Sequence, residues 1–233
     1  MLIEVNERTL IGIKVFEQLG AELRGEIAAK CRAQRYTTHE QVVSQHDQTD
    51  DVYFVVSGKV RATLFSESGR EVIFQDLKSG DMFGELAAID AKPRSTSVIA
   101  IQETVLATMP GSAFRAVLQS YPTVAVATMQ RLSTLVRDHC ERIFEFSTLG
   151  VKNRIHAELL RLAEENSAED NQVTISDAPT HEEIAKRIST HREAVTRELK
   201  DMERNGLIKW DRTSHIIYDV EKLKRMVDSV VGS

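Results

Sequence analysis

The sequence predicts an α+β protein in three consecutive parts: an antiparallel β-barrel or sandwich, a long helix, and a domain of short helices followed by a hairpin. Apolar runs separated by glycine turns recur about every ten residues between about 40 and 110. A heptad pattern then begins at Pro122, and two capping-box spacings follow it. We therefore expect boundaries that give the segments 1–121, 122–149 and 150–233.

The composition is that of an ordinary globular chain, with 42% hydrophobic residues, 28% charged residues and a net charge of −5. The two cysteines, Cys31 and Cys140, form no CxxC or CxxH pattern, which excludes a zinc or iron–sulfur site built from them alone. The N-terminal MLIEVNERTL lacks the basic and then apolar run of a signal peptide, and no stretch approaches about 18 apolar residues. We expect a cytoplasmic protein with no metal and no membrane partner.

The β-rich part is best seen in DVYFVVSGKVRATLF, where a turn at Ser57–Gly58 separates two apolar runs, 52–56 and 60–65. Another turn at SESGR leads to EVIFQDL, and SVIAIQETVLATM adds further β-branched runs. Such a series predicts an antiparallel barrel or sandwich, including the double-stranded jelly-roll type. The first 30 residues and Ser112–Gln119 are expected to be helical and to pack against it.

The long helix is predicted to begin at Pro122, whose missing N–H costs nothing at the first helical position. Its seam positions are spaced alternately by four and three residues: Ala125, Met129, Leu132, Val136, His139, Ile143 and Phe146. This spacing is typical of a coiled-coil seam, and no glycine or proline interrupts it before Gly150. Because a narrow apolar stripe needs a partner helix, we favour a homodimer over packing on the β-domain alone.

The C-terminal part contains two capping-box spacings, Thr180–Glu183 and Thr190–Glu193, with about three residues between the helices that they open. The first helix is expected to reach Ile188 and the second to stop at Gly206, which makes a helix-turn-helix. Two further features frame it: an amphipathic helix in VKNRIHAELLRLAEEN with an acidic loop ENSAEDNQ, and a hairpin wing in LIKWDRTSHIIYDV around the turn Asp211–Ser214.

The second of these helices buries Val195, Leu199 and Met202 at helical spacing and presents polar residues on its other side. The candidate DNA-binding residues are Thr190, His191, Arg192, Glu193, Thr196, Arg197 and Lys200. Arginine reads guanine and a carboxylate accepts from cytosine, and recognition helices place such residues in their first turns. Taken singly, these residues fit a solvated helix face, and Glu193 fits a capping residue. Together with the wing and the spacing of the two helices, they favour a DNA-binding surface.

The charge balance gives little general attraction to phosphates, since residues 151–233 carry a net charge of −2 and residues 180–212 a net charge of +1. DNA binding would therefore depend on individual contacts and on dimer geometry. The acidic balance slightly favours a second class of protein, a ligand-binding interaction module without an operator, but the pattern of Arg192, Glu193 and Arg197 strongly disfavours it.

The stretch Phe83–Ser97, FGELAAIDAKPRSTS, combines groups of opposite preference. Glu85 follows Gly84 directly, and Arg94 stands nine residues later beside three hydroxyl side chains. Arginine and hydroxyls suit an anion, which a carboxylate would repel. The pair therefore indicates a ligand with one anionic end and one hydroxylated end.

In this order of parts, the chain resembles the cyclic AMP receptor protein branch of the bacterial receptor/fumarate–nitrate regulator superfamily over nearly its whole length. GDMFGELAAIDAKPRSTS resembles the phosphate-binding cassette of that family, and HREAVTRELKDMERNGLI resembles its recognition helix. The resemblance implies a homodimeric transcription regulator that binds cyclic AMP as an allosteric ligand and then a palindromic operator. RNA polymerase is an implied partner, although the acidic loop Glu164–Asn171 matches no family contact surface readily.

The resemblance also implies roles for the cassette residues. Arg94 and Ser95 would hold the cyclic phosphate, and Glu85 would accept from the ribose 2′-hydroxyl. Gly84 and Leu86 stand in matching places, and backbone N–H groups from Glu85 onward would face the phosphate. Thr96 would make at most a secondary contact.

Two positions depart from the family pattern. Counted from Pro122 without a gap, the family's adenine-reading Thr-Ser pair falls on His139 and Cys140. His139 either contacts the base or fixes the register of the seam, Cys140 is expected to pack, and the base stays open between adenine and guanine. Ser189 replaces a usual glycine in the helix-turn-helix turn, a mild change in side-chain size.

The sequence gives less support to the other sensor types of the superfamily and to an enzyme. An iron–sulfur sensor needs a cysteine cluster, and the haem type would need axial ligands, for which His39 or His46 are better explained as surface loop residues. The sequence has no nucleophile elbow, metal-ligand spacing or Walker loop, so we expect no enzyme and no catalytic cofactor.

Overall fold

The computed structural model describes residues 5–67, 69–166, 168–169, 171–211 and 214–231. The chain divides into two compact units, Met1–Leu135 and Val136–Ser233. The strands of the first unit are β1 (Arg32–Tyr36), β2 (Gln41–Val43), β3 (Val52–Ser57), β4 (Lys59–Phe65), β5 (Glu71–Lys78), β6 (Met82–Phe83), β7 (Ser97–Ala100) and β8 (Thr104–Met109). Its helices are a 3₁₀ turn (Lys14–Phe16), α1 (Ala21–Ala28), α2 (Glu85–Asp90), α3 (Gly111–Ser120) and the first part of α4 (Pro122–Thr148).

The strands form two antiparallel sheets in the orders β1-β8-β3-β6 and β2-β7-β4-β5. A closed barrel requires every strand to pair on both sides, whereas here the strands at the ends of each order pair on one side. The prediction of an antiparallel barrel or sandwich of the jelly-roll type is therefore confirmed, as a jelly-roll-like pair of sheets that do not close into a barrel. β1 begins about eight residues before the predicted β-region, which starts near Glu40.

The predicted helices cover one sheet of this domain. The ring of Phe54 on β3 lies 4.9 Å from Phe16 and 6.5 Å from Phe114 of α3, measured between centroids. Ile27 of α1 is fully buried in the same cluster. The two sheets share a second core, to which β3, β4, β5, β7 and β8 all contribute. Burial of apolar surface on both sides of the first sheet holds it in place.

Helix α4 is continuous, as the heptad pattern predicts. Its most exposed apolar side chains are Met129, Val136 and Ile143, at 57%, 61% and 64% exposure and at seven-residue spacing. Leu132 and His139, from the other half of the predicted seam, are half-buried. The helix is confirmed, and the partner that would cover this stripe stays a prediction.

The second unit combines the remainder of α4 with a small helical domain and one sheet. Its elements are α5 (Val151–Glu164), β9 (Ala168–Glu169), β10 (Gln172–Thr174), α6 (His181–Arg187), α7 (Arg192–Arg204), β11 (Ile208–Trp210), β12 (His215–Ile217) and α8 (Val220–Val231). The predicted wing is the hairpin β11–β12, extended by β10 and β9 into a four-stranded sheet. The sequence interpretation missed α8, and wrongly assigned the segment of β9 to a loop. The wing turn and the loop Glu164–Asn171 lie partly outside the described residues.

The two predicted capping boxes have different outcomes. Thr180 caps α6 as predicted, because its hydroxyl accepts from the N–H of Glu183 at 3.2 Å and the Glu183 carboxylate accepts from the N–H of Thr180 at 2.8 Å. The prediction of a second capping box at Thr190–Glu193 was wrong. Ser189 adopts φ 52°, and the N–H of Thr190 donates to the carbonyl of Ala185 at 2.9 Å. The turn is thereby one residue longer, and α7 begins after an N-cap at His191 that makes no side-chain cap bond.

An ion-pair cluster ties the last part of α4 to α5 and α6 within the second unit. Glu158 of α5 is 1% exposed, and its carboxylate lies 3.1–3.3 Å from the guanidinium groups of Arg142, Arg161 and Arg187. Arg161 also pairs with Glu145 of α4 at 2.6 Å. Burial alone would raise the pKa of Glu158, but the three arginines outweigh it and hold that pKa below its ordinary value.

Candidate functional site

The stretch after β6 is shaped by a glycine. Gly84 is the N-cap of α2 and has φ 85°, a left-handed conformation that side chains other than glycine rarely adopt. A Cβ atom at this position would lie 2.7 Å from Nη1 of Arg94 and 2.7 Å from the carbonyl oxygen of Asp51. Glycine therefore both makes the turn and lets the arginine approach the backbone.

Arg94 is held inside the first unit with part of its guanidinium unused. The residue is 3% exposed. Its Nε donates to Thr49 Oγ1 at 3.0 Å, Nη1 to the Gly84 carbonyl at 3.1 Å, and Nη2 to the Asp51 carbonyl at 2.8 Å. A guanidinium has five N–H donors, so one N–H remains on each terminal nitrogen. Donors on both terminal nitrogens of a guanidinium can bind two oxygens of one phosphate.

Aromatic rings support this arginine from one side. The guanidinium carbon of Arg94 lies 5.6 Å from the centroid of the Tyr53 ring, within cation–π range. Tyr53 stacks on Phe83 with centroids 4.8 Å apart and the ring planes 9° from parallel. The stack fixes the wall of the site, because Tyr53 and Phe83 both belong to the sheet and are nearly fully buried.

Glu85 lies beside Arg94 as a buried carboxylate. It is 4% exposed, and its burial raises the pKa of its carboxyl group, opposed by the positive charges of Arg131 and Arg94. Nε of Arg131, from α4, stands 3.9 Å from Oε1 of Glu85, and its Nη2 donates to the Met82 carbonyl at 2.6 Å. The sequence interpretation missed Arg131; the signal available was that it is the first charged residue of α4.

The other predicted cassette residues differ in exposure. Leu86 is 41% exposed, Ser95 is exposed, and Thr96 is half-buried. The hydroxyl of Ser97 instead accepts from the N–H of Gln45 at 2.9 Å and is buried, so it belongs to the framework. Gly84, Glu85 and Arg94 are therefore brought together as predicted. α2 ends at Ala91, a non-glycine residue at φ 55°.

His139 and Cys140 lie on α4 within the second unit. His139 is half-buried, and Cys140 is exposed with a free thiol. Their contact with a nucleotide base stays a prediction, as does the choice between adenine and guanine.

Helix α7 presents a second charged surface. Val195, Leu199 and Met202 are buried as predicted, which turns the opposite face outward. Its groove of about 650 Å³ is lined by Arg192, Glu193, Thr196, Arg197, Lys200, Asp201, Glu203 and Arg204. The side chains of Arg192, Glu193, Arg197 and Lys200 make no hydrogen bond or ion pair with the described residues, so these exposed groups are available to a ligand.

Three of the predicted DNA-binding residues also have a role within the helix-turn-helix. Thr190 uses its N–H in the turn, and the exposed His191 is the N-cap of α7. The hydroxyl of Thr196 lies 2.9 Å from Nδ1 of His181 on α6. Because the predicted Thr190 cap does not form, Glu193 has no capping role and its carboxylate stays exposed on the face of α7.

In the described part of the chain, no group of histidine, cysteine, aspartate and glutamate side chains could hold a metal ion. His39 and His46 are exposed turn residues with φ 70° and 71°, as expected for surface loops. No helix among these residues is both long enough and apolar enough to span a bilayer.

Comparison with known families matches both units. Residues 33–121 match the family described as cyclic nucleotide-binding domain, and residues 153–226 match the Crp-like helix-turn-helix domain. These two ranges cover the cassette around Arg94 and the whole of α6, α7 and the wing.

Individual relatives agree with these matches. The chain is 29% identical over 185 residues to the CRP-like cAMP-activated global transcriptional regulator of Mycobacterium tuberculosis, covering 79% of this chain and 83% of that protein. It is 27% identical over 187 residues to the cAMP-activated global transcriptional regulator Vfr of Pseudomonas aeruginosa, covering 78% and 87%. The fold is similar to that of a CooA variant from Carboxydothermus hydrogenoformans, with a TM-score of 0.80, 19% identity, and coverage of 97% and 98%.

Proposed function

The chain belongs to the CRP/FNR family of transcription regulators, and from this membership and its cyclic nucleotide-binding domain we propose a homodimer that binds cyclic AMP in each first unit and then a palindromic DNA operator. The observation that carries the ligand assignment is the buried Arg94 with two unused N–H groups beside the buried Glu85. A cyclic nucleotide supplies the anion and the hydroxyl that these two groups would bind.

In this proposal the two unused donors of Arg94 bind the cyclic phosphate, with Ser95 as a further donor. Glu85 accepts from the ribose 2′-hydroxyl, and the positive charge of Arg131 opposes the rise in the pKa of Glu85 that burial causes. Cyclic GMP has the same cyclic phosphate and ribose, so it would compete for Arg94, Ser95 and Glu85. The choice between the two bases therefore falls to residues outside α2, with His139 as the candidate.

The proposed dimer is supported by the exposed stripe Met129, Val136 and Ile143 on α4. The chain offers its own probe for this contact, because Cys140 is exposed next to the stripe while burial raises the pKa of Cys31 to about 12. Mild oxidation should give a covalent dimer with the native chain and with Cys31→Ser, but not with Cys140→Ser. A monomer in sedimentation measurements would contradict the dimer directly.

The proposed operator contact uses the exposed residues of α7. Two recognition helices read one palindrome when they lie about 34–36 Å apart, one turn of the double helix. The nucleotide acts as an allosteric ligand only if it binds the DNA-competent arrangement more tightly than the other. The dimer would act as a regulator of transcription in the cytoplasm, and RNA polymerase would be a further binding partner.

The test is a side-by-side titration of cyclic AMP and cyclic GMP by calorimetry, followed by selection of bound duplexes from random DNA with each nucleotide. We expect one nucleotide to bind and to be required for recovery of a palindromic sequence. Nucleotide binding without any recovered sequence would favour a protein-interaction module, and a chain that binds neither nucleotide would contradict the ligand assignment.

A further inference from the structure

The hydroxyl of Thr196 is held by a histidine from the neighbouring helix. Thr196 lies one helical turn after Arg192, and both line the groove of α7. Nδ1 of His181, the first residue of α6, is 2.9 Å from the Thr196 hydroxyl oxygen. The half-buried pair therefore lies at the edge of the surface assigned to DNA.

This hydroxyl differs from others on helices of the chain. The hydroxyls of Thr128, Ser133 and Ser147 donate to the carbonyl four residues earlier, at 2.8–2.9 Å. Within the described residues, Thr196 makes no such bond, and its hydroxyl is directed to His181 instead. The protonation of Nδ1 of His181 consequently determines the direction in which the hydroxyl group of Thr196 donates its proton.

We propose that His181 is a positioning residue that determines whether Thr196 offers a hydrogen-bond acceptor or a donor to a base edge, so that operator preference at one base pair depends on pH. The inference rests on the proposed function of α7 in reading DNA.

The chemistry follows from the proton inventory of the two groups. Neutral His181 with a bare Nδ1 accepts the hydroxyl proton, and Thr196 then offers only lone pairs to the groove. Protonated His181 donates from Nδ1, which releases the hydroxyl proton of Thr196 toward the groove. An acceptor suits the amino groups of adenine and cytosine, whereas a donor suits guanine N7 and O6 or thymine O4.

The surroundings of His181 favour its neutral form. Burial, and then the positive charge of Arg192, lower the pKa of His181 below its ordinary value. Lys200 of α7 and His215 of β12 act in the same direction, and Glu203 of α7 opposes them. When neutral His181 leaves its Nδ1 bare, Thr196 is an acceptor, and protonation of His181 on acidification converts it to a donor.

The test is selection of bound sequences from random duplex DNA by the full-length dimer at about pH 8 and at the lowest pH at which the dimer stays folded. The lower pH must lie well below the ordinary histidine pKa of about 6.5, because the pKa of His181 is itself lowered from that value. Cyclic AMP or cyclic GMP is added, whichever supports binding. Ratios between bases at each position are compared within one pH, so that any effect of pH on overall affinity cancels. We expect a preference for adenine or cytosine at one position at high pH, and a roughly two- to tenfold change toward guanine or thymine at low pH, the range of one hydrogen bond.

Two variants separate this inference from a general effect of pH. Thr196→Val, which lacks the hydroxyl, should lose the preference at that position at both pH values. His181→Asn, whose amide does not titrate, should keep one preference throughout. A pH-independent preference in the native chain, or a pH shift that survives in His181→Asn, would overturn this inference alone. Recovery of no sequence at either pH would overturn the proposed DNA-binding function and this inference with it.

Discussion

The chain uses a glutamate and an arginine together in two regions, in opposite physical states. In the cassette, Glu85 and Arg94 are buried, and the arginine already makes three hydrogen bonds to the protein. At the start of α7, Glu193 and Arg192 are exposed, and their side chains make no hydrogen bond or ion pair with the described residues. The same two residue types are thus fixed in one region and free in the other.

The difference shows where each kind of recognition is organised. The buried pair is oriented by the fold before any ligand arrives, so binding costs little additional side-chain entropy. The exposed pair must be ordered by its target, at about 0.5–1.5 kcal/mol for each long side chain. We infer that ligand recognition depends on the stability of the first unit, whereas DNA recognition can change with little effect on folding.

The largest effect should follow from Arg94→Leu, which tests whether the cassette arginine also supports the fold. Three acceptors lose their donor, so we expect a loss of about 3 kcal/mol in the free energy of unfolding, at about 1 kcal/mol per hydrogen bond. Nucleotide binding should disappear as well. Urea denaturation and calorimetry measure the two effects. Arg197→Leu, on the exposed face of α7, is the matched control and should change stability by less than about 0.5 kcal/mol.

Undiminished nucleotide affinity in Arg94→Leu would contradict the proposal that Arg94 binds the phosphate. A loss of stability in Arg197→Leu as large as in Arg94→Leu would remove the contrast between the two regions.

Glu85→Gln should weaken nucleotide binding by about 1.5–3 kcal/mol, the value of a hydrogen bond to a charged group. Its effect on folding has the opposite sign. Because burial raises the folded-state pKa of Glu85, the ionised carboxylate destabilises the fold at neutral pH, and this penalty disappears as the pH falls through the folded pKa toward the unfolded value of about 4.3. The variant should therefore be more stable than the native chain at pH 7 and equally stable near pH 4, measured by urea denaturation. Equal stability at both pH values would show that Arg131 fully offsets the burial.

Arg192→Ala should cost about 1–3 kcal/mol on the specific operator and relax discrimination at one base pair. Its free energy of unfolding should stay within about 0.5 kcal/mol of the native value, because the side chain is exposed. Competition binding with single-base operator variants measures the first effect. A uniform loss across all sequences would identify Arg192 as a phosphate contact.

The smallest effects concern one strained residue in each region, Ala91 at φ 55° and Ser189 at φ 52°. Glycine adopts this left-handed conformation without the cost of a side chain, so Ala91→Gly and Ser189→Gly should each stabilise by about 1 kcal/mol. Gly206, at φ 67° with open space around its Cα, is the matched control, and Gly206→Ala should destabilise by a similar amount. Thermal unfolding measures all three, and a destabilised Ser189→Gly would show that the serine side chain contributes a bond of its own.

Local patterns were sufficient for much of the architecture. Glycine turns predicted the sheets, the heptad predicted α4, and Thr180–Glu183 predicted the start of α6, because each signal lies within a few residues of the structure that it specifies. The position of Ser189 shows the limit of that reasoning. Its size suggested a mild replacement of glycine, but its φ of 52° lengthens the turn and moves the start of α7 past Thr190.

The partners of the cassette could not be predicted in the same way. Thr49 and Asp51 bond to Arg94 from more than 40 residues away, and Arg131 reaches Glu85 from another helix. No sequence spacing encodes such pairs, since they depend on how the strands and α4 pack. The motif predicts which residues would contact a ligand, and the structure adds the groups that hold those residues in place.

The ion-pair cluster around Glu158 limits how this chain can diverge. Glu158 is shared by three arginines, and Arg161 links it to Glu145, so the five charges depend on one another in a buried place. A change of Glu158 alone should therefore be poorly tolerated, whereas replacement of the whole cluster by apolar side chains of similar volume should be neutral or favourable. Among descendants of this sequence, we expect these positions to be inherited or replaced together.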